Sequence, residues 1–333
     1  MGYFTKRMSR TPLKVRLGKG IELIYDGGGV VLDPYGFSPG CESALLTHAH
    51  RDHSRGYVKY RRGFATAETL DLLTLYVGRS RLRGSGRVRI GDRFKLDELE
   101  VSVHEAGHVL GSVMYRVSTA EYTLLYTGDM NCVETLVSKP AEEVPCDILI
   151  LDSTFGYPYF KFPDRNRLYG RIVEWAIDVI KDGRIPVLHA DSLGNSQELI
   201  VLFNRFTNIP VVAHHRVALV NEVYRRHGVK MDYISHNTEE GRELVRSGFC
   251  VYIAPKGAKV LLNRPTRKAL VSGWALTFRN GFPLSDHADY PSLINYVARV
   301  RPKMVYTYPS GYSGRVLADR IRKVLDIPAQ PLR

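Results

Sequence analysis

The 333-residue sequence predicts an α/β protein in two units, on three observations. Its first half reads as short strands broken by Gly-rich turns. Its middle alternates helices with apolar strands. An apolar strand early in the chain runs directly into a histidine-rich loop. In the first half, apolar alternation marks strands at 14–17, 21–25, 30–33, 44–47, 88–90, 100–104, 113–117 and 123–127, with one helix near 68–77. After 148–152, an apolar strand closing on Asp152, the texture changes. Helices are predicted at 165–181, 196–206, 217–227 and 238–247, and strands at 186–190, 210–213 and 250–254. That alternation is the signature of a parallel sheet. Strand–helix pairs resume from residue 270. Pro- and charge-rich loops near Phe162 and Lys268 divide the chain into 1–162, 163–268 and 269–333, the outer parts forming one domain and the middle an insertion.

Composition narrows the class. Hydrophobic content of 44% and charged content of 24% are those of a soluble globular chain. The 47 Lys and Arg exceed the 34 Asp and Glu by 13, a balance that favours a polyanionic partner. Cys41, Cys132, Cys146 and Cys250 are scattered, without the pairing of a thiolate zinc site or a disulfide framework. No apolar run is long enough for a membrane span, so no membrane association and a cytoplasmic location are expected.

The chemistry concentrates in Thr-His-Ala-His-Arg-Asp-His, residues 47–53. In an extended segment, residues two apart point to one side, so His48 and His50 can converge on one ion. A turn at the strand end would bring Asp52 and His53 to the same cavity. Imidazole and carboxylate together suit Zn²⁺ or a similar first-row cation. His108 lies in a Gly-flanked turn between two predicted strands, and Asp129 ends another strand. With the first cluster, they make a set large enough for two ions bridged by a carboxylate.

The order Asp33, His48-x-His50-x-Asp52-His53, His108, Asp129 resembles the four motifs of the metallo-β-lactamase superfamily. Leu151-Asp152-Ser153-Thr154-Phe155-Gly156 resembles the acidic motif that opens its β-CASP nuclease subfamily. Leu284-Ser285-Asp286-His287-Ala288-Asp289 resembles a later histidine motif, and the segment from Ser192 to Leu199 resembles the first β-CASP helix start. Within the subfamily, the overall pattern is most similar to ligase-associated DNA exonucleases and Artemis-type cross-link-repair nucleases.

The resemblance implies a four-layer αββα metallo-β-lactamase fold with an inserted α/β β-CASP domain. It implies that His48, His50 and His108 hold a first metal, Asp52 and His53 a second, and that Asp129 bridges them. Asp33 would orient the histidines, and Asp152 with His287 would form an acid–base pair. One zinc would be held tightly and a second cation (zinc, Mn or Mg) more weakly. The implied activity is phosphodiester hydrolysis, most simply a DNA exonuclease acting on single strands or ends, with DNA-repair or ligase partners. An RNA exo- or endonuclease of the ribonuclease J or pre-mRNA cleavage factor type is the alternative. A lactamase-like small-molecule hydrolase is opposed by the Asp152 and His287 motifs. A catalytically dead subunit is opposed by the intact ligand set.

Two departures bear on substrate. Tyr308 stands where the RNA-processing branch carries a histidine, a loss shared with the DNA-repair branch. Asn195 stands where DNA-acting relatives often show Gly-Lys, although Ser192, Gly194, Asn195 and Ser196 at a helix start could still receive a phosphate through backbone N–H groups. Arg81, Arg83 and Arg87 flank a Gly84-Ser85-Gly86 turn and are expected to form a phosphate-tracking rim.

Overall fold

Alternating apolar residues give most strands two usable faces, and the architecture follows from where each face is buried. The computed structural model describes residues 13–25, 28–278 and 280–333. Strands β1 (Lys14–Leu17), β2 (Ile21–Tyr25), β3 (Gly28–Leu32), β4 (Ser43–Leu45), β5 (Arg62–Thr66) and β6 (Gly86–Val88) form one sheet in that order. The single turn α1 (Arg51–Ser54) follows β4, and α2 (Ala67–Val77) follows β5. A second sheet begins with β7 (Arg93–Leu96), β8 (Leu99–Glu105), β9 (Val113–Ser118), β10 (Thr123–Tyr126) and β11 (Ile148–Asp152).

The chain then leaves to build a third sheet. Its elements are α3 (Arg165–Lys181), β12 (Ile185–Ala190), α4 (Asn195–Phe206), β13 (Val211–Ala213), α5 (His215–Arg226), β14 (Ile234–Ser235), α6 (Glu239–Ser247), β15 (Val251–Pro255), β16 (Thr266–Val271) and β17 (Gly281–Phe282). Every pairing in this sheet is parallel. The sheet continues through β16 and β17, past residue 268 where the insertion was expected to end. After α7 (Tyr290–Val300) the chain returns to the second sheet. There β18 (Met304–Tyr308) pairs beside β11, and β19 (Ala329–Pro331) follows α8 (Tyr312–Leu325).

Strand periodicity sorts the side chains into layers. Val30, Leu32 and Leu45 of the first sheet meet Val101, Val103, Tyr115, Val117 and Ile150 of the second in a core between the two sheets. The alternate residues Leu125, Leu149, Leu151 and Val305 face the other way, under Leu293, Val297, Leu317 and Ile321 of α7 and α8. On the outer face of the first sheet, Val31, Ala44 and Leu46 join Leu70 and Leu73 of α2. This core is continuous with Leu188, Val211 and Ile253 of the third sheet. Helix, sheet, sheet, helix is the four-layer αββα arrangement.

Periodicity missed β5 and β7, because Arg-Gly-Phe-Ala-Thr and Arg-Phe-Lys-Leu lack a sustained apolar alternation and are strands through their partners. It placed β6 two residues late. None of the four cysteines is bridged. No helix among the described residues is long and apolar enough to cross a membrane.

Ile150 is fully buried in the core between the two sheets. Replacing it with Ala should lower unfolding stability by about 2–5 kcal/mol. Denaturant titration of Ile150→Ala checks this, with the shift in midpoint at unchanged slope as the readout.

Candidate metal centre

Strand β4 delivers the histidine-rich segment at its C-terminal end. His50 is extended, and the chain then closes a single helical turn in which the His53 and Ser54 amides donate to the His50 carbonyl. That turn swings His53 under Asp33. Asp33 follows β3 with φ at 47°, in the left-handed region that non-glycine residues avoid. Its carboxylate accepts four hydrogen bonds: from Thr47 N at 2.7 Å, Thr47 Oγ1 at 2.6 Å, His53 Nδ1 at 2.8 Å and Tyr126 OH at 2.9 Å.

These partners decide which nitrogen of each imidazole carries its proton. The Thr47 hydroxyl spends its one hydrogen on Asp33, so toward His48 Nδ1, 2.9 Å away, it can only accept. His50 Nε2 faces the Leu193 carbonyl at 3.3 Å, and His108 Nδ1 faces the Asp286 carbonyl at 2.9 Å. A carbonyl accepts only, so each of those nitrogens is the N–H. The remaining nitrogens of His48, His50 and His108 are left as lone pairs grouped with Asp129, whereas burial opposes charge on His53 but Asp129 and Asp33 override it, hold the imidazole well above its ordinary range and keep a proton on Nε2. Asp129 Oδ2 lies 3.4 Å from His48 Nε2 and 3.6 Å from His108 Nε2, while Oδ1 lies 3.2 Å from His53 Nε2.

The set fits a cation. His48 Nε2 is fully buried with no hydrogen-bond partner. His50 Nδ1 and His108 Nε2 sit 3.0 Å apart, lone pair against lone pair, which only a proton or a metal ion relieves. One ligand atom from each of His48, His50, His108 and Asp129 lies within 4.8 Å of the others. Three imidazoles and a carboxylate with hydrogen-bonded outer nitrogens are a first-row metal donor set.

Electrostatics agree with that geometry. Burial pulls the His48 imidazole well below its ordinary range, and charge on His53 adds to it. Burial and the neighbouring His287 push His108 down to about 3. Burial would raise the Asp129 carboxyl, but His53 and His287 outweigh it and hold the group well below the usual range. Burial also opposes charge on His287, yet Asp129 and Asp152 override it and bring the imidazole up to about 10. His287 Nδ1 donates to Asp152 Oδ2 at 2.9 Å, and its Nε2 lies 3.7 Å from Asp129. Asp152 is buried, and its other oxygen accepts the Thr154 amide at 2.8 Å.

A cavity of about 400 Å³ opens onto this cluster, lined by Asp33, His50, Asp52, His53, Asp129 and His287 among others. The expected residues do not all converge equally. Asp52 stands at the mouth, 80% exposed, with its carboxylate 3.9 Å from His53 Nε2. Tyr308 also lines the cavity, in register with Asp152 across β11 and β18. At the start of α4, the Gly194 amide donates to Gln197 Oε1, and Ser196 donates from both N and Oγ to the Asp191 carbonyl. Those amides are committed within the chain, and the Ser192 carbonyl receives Gln197 Nε2. Asn195 lines the cavity with its Oδ1 buried and unpartnered. Arg81, Arg83 and Arg87 are exposed, and none of them lines the metal cavity.

Sequence reasoning assigned no role to Thr47, Tyr126 or the carbonyls of Leu193 and Asp286. Nor did it find the Lys256–Asp191 ion pair on the cavity wall. Backbone acceptors carry no side-chain signal. Lys256 and Asp191 meet only because β12 and β15 are neighbours. Gly128 has a signal of a kind: its φ is 53°, and a Cβ there would lie 2.6 Å from Thr47 Oγ1, so only glycine lets Asp129 approach this closely.

No protein-family model matches the chain. Over 277 residues, 79% of this chain, it is 29% identical to a probable DNA ligase of Opitutus terrae, spanning 26% of that protein. It is 21% identical to an RNase J-like protein of Methanocaldococcus jannaschii, with 86% of each chain covered. It is 34% identical over 286 residues to RNase aCSPSF2 of Saccharolobus solfataricus, covering 71% of this chain and 58% of that one. A crystal structure of a protein of unknown function from Enterococcus faecalis shares the fold, with a TM-score of 0.60, 14% identity and coverage of 89% and 92%. The layers and the clustered histidines define a metallo-β-lactamase-fold protein. Within that fold, the chain is similar over most of its length to nucleases of the β-CASP family.

Asp33→Asn keeps the volume of the side chain but places an NH₂ against groups that now donate to a carboxylate. Metal retention should weaken by about 10- to 100-fold. Competition with a chelator, read as ions retained per chain, measures it, and Tyr126→Phe should cost less because it removes one of the four donors.

Proposed function

We propose that the protein is a metal-dependent nuclease that hydrolyses phosphodiester bonds, with zinc as its cation. The observation that carries this reading is the clustering of four imidazoles around Asp129, beside the Asp152–His287 pair, in one open cavity. His48, His50, His108 and Asp129 would hold the first ion, and His53 with Asp129 a second, with Asp52 at its mouth. When bound, such a cation supplies Lewis acidity toward a phosphate oxygen and acidifies a coordinated water molecule. The protein's own contribution is to hold the donors in one protonation state and to move a proton. His287 is fixed by Asp152 at Nδ1, so Nε2 faces the cavity. As an imidazolium it can hand that proton to the departing sugar oxygen and draw charge from Asp152.

Nucleic acid is the substrate that the relatives support. A DNA strand, attacked from an end, is the finer reading. It is supported by Tyr308, which stands where the RNA-processing branch carries a histidine, and by the match to part of a probable DNA ligase. A ligase working on the same DNA is the partner this implies. RNA is the second reading, favoured by relatives named RNase J-like protein, RNase aCSPSF2 and transcription termination factor FttA. End-labelled single- and double-stranded DNA and RNA of one sequence, offered side by side, separate the two.

Chelation should abolish hydrolysis, and Zn²⁺ or Mn²⁺ should restore it. His287→Ala should lower turnover by about 10²- to 10⁴-fold with bound metal unchanged. The loss should shrink on an aryl phosphodiester, whose leaving group needs no proton. An equal loss on both substrates would instead make His287 structural or a ligand.

Tyr308 leads to a second expectation, for metal content. A phenol kept protonated by burial is a poor ligand, so the second ion, with Mn or Mg as candidates beside Zn, is held by fewer donors. Purified protein should carry nearer one ion per chain than two. Elemental analysis before and after mild chelation tests this, and two ions that survive it would overturn the reading.

A further inference from the structure

The eleven histidines of the chain are not scattered. Five belong to the metal cluster, and His104 and His227 pair with Glu142 and Asp71. The remaining four, His189, His214, His215 and His236, gather at the C-terminal edge of the third sheet. No carboxylate among the described residues pairs with any of them. Sheet register explains the gathering. His189 on β12 lies opposite Ala254 on β15, and β13 is aligned so that His214 comes level with Ala254. The pairing of Ala213 with Ser235 then sets His236 beside His214. One row across four parallel strands therefore reads His189, Ala254, His214, His236.

The row ends one face of the sheet. Val187, Val212, Tyr252 and Ala254 pack on this face with Val245 of α6. The opposite face, with Leu188, Val211 and Ile253, belongs to the core that reaches α2 and the first sheet. None of the four histidines lines the metal cavity. Their neighbours fix the rings. His189 Nδ1 donates to the Pro255 carbonyl at 3.1 Å. His214 Nδ1 accepts the Arg216 amide at 3.3 Å, which leaves His214 Nε2 as the N–H. His236 Nδ1 meets the Tyr252 hydroxyl at 2.9 Å, and the His215 ring lies beside His214 with centroids 4.2 Å apart. Helix α5 begins here, so the positive end of its dipole and the Arg216 guanidinium add to the same field.

Such a cluster suits an anion and not a metal ion. Its ligand atoms do not close up as those around Asp129 do, and it has no carboxylate to neutralise a cation. Burial, and then His215, Arg216, His236 and His189, push the His214 imidazole down to about 4. Burial, Arg242 and His215 push His236 down as well. The nearby carboxylates are already spent, Glu239 on Arg242 and Asp191 on Lys256. We propose that this edge of the third sheet is a second ligand site, separate from the metal centre, that binds a tetrahedral oxyanion of the phosphate class. The crevice beyond the carboxyl ends of parallel strands is where open α/β sheets take their ligands. The anion accepts from His214 Nε2 and Arg216, and it draws protons onto rings that mutual repulsion otherwise keeps neutral.

Sulfate is the probe, because it stays a dianion throughout the range in which imidazoles titrate. Zinc-loaded protein is titrated with sulfate while the histidine ring C–H resonances are followed by NMR. The signals of His189, His214 and His236 should shift together and saturate. Affinity should rise about tenfold or more from pH 8 to pH 6, because each proton drawn in tightens binding. Arg216→Ala removes an ionised donor and should weaken sulfate roughly 10- to 100-fold. His214→Asn keeps an acceptor at the start of α5 but removes the ring, and it should flatten the pH dependence. Inorganic phosphate and a nucleoside monophosphate, compared at pH 8, show whether a free anion or an ester is preferred. Histidine signals that stay fixed under sulfate, or shifts that Arg216→Ala leaves unchanged, would overturn the proposal. So would uptake of an extra zinc ion that His214→Asn abolishes, since the row would then be a cation site.

Discussion

The buried carboxylate of Asp33 is the constraint on which the site depends. It occupies a left-handed backbone conformation that costs about 1–3 kcal/mol, and it is buried at the cavity floor among donors that would otherwise be unpaired. Four donors offset that cost, and they come from three places: the segment after β4, the helical turn that follows it, and β10 of the opposite sheet. The bond to Tyr126 crosses from one sheet to the other. The histidine-rich loop therefore acquires its shape only when the two sheets are packed, so that closing the β-sandwich also aligns the histidines.

A second set of acceptors comes from the far end of the chain. Leu193 precedes α4, and Asp286 lies on the return from the third sheet; their carbonyls orient His50 and His108. Arg165 of α3 fixes this return. Its guanidinium makes a paired contact with buried Glu198 of α4, at 2.8 and 2.6 Å, and also donates to the Ser285 carbonyl at 3.0 Å. A buried ion pair of this kind is costly to break, because either partner alone would be left as an uncompensated charge. It thereby couples the third sheet to the loop that carries His287.

The charge of the cavity explains why a cation is integral to the proposed chemistry. The chain as a whole is basic, yet its cavity wall carries Asp33, Asp52, Asp129, Asp191 and Asp286. Without a cation these carboxylates would repel a phosphate, and Lys256 is already engaged by Asp191. Divalent ions held at the histidine–aspartate cluster would reverse the local sign, while the net charge of +13 would attract a polyanion at longer range. The two features act at different ranges and do not substitute for one another.

Much of this was legible in the linear chain. Alternation of apolar residues at Val30, Leu32, Val101, Val103 and Ile150 announces strands with a buried face, and the apolar-then-parallel texture from Arg165 to Pro255 announces a second kind of sheet. The spacing of His48, His50 and His53 points to a candidate metal site, because few other demands place imidazoles so densely at a strand end. The sequence by itself therefore determined the layered class and the donor types. The tertiary structure alone decided which nitrogen of each ring faces inward, that Asp52 stands exposed at the mouth, that the arginines at 81, 83 and 87 lie away from the cavity lining, and that His189, His214 and His236 fall in one row. The physical reason is that periodicity reports what a segment buries against its immediate neighbours. Proton placement and cavity membership depend on acceptors such as the Leu193 and Asp286 carbonyls, which are more than a hundred residues distant and have no side-chain identity to read.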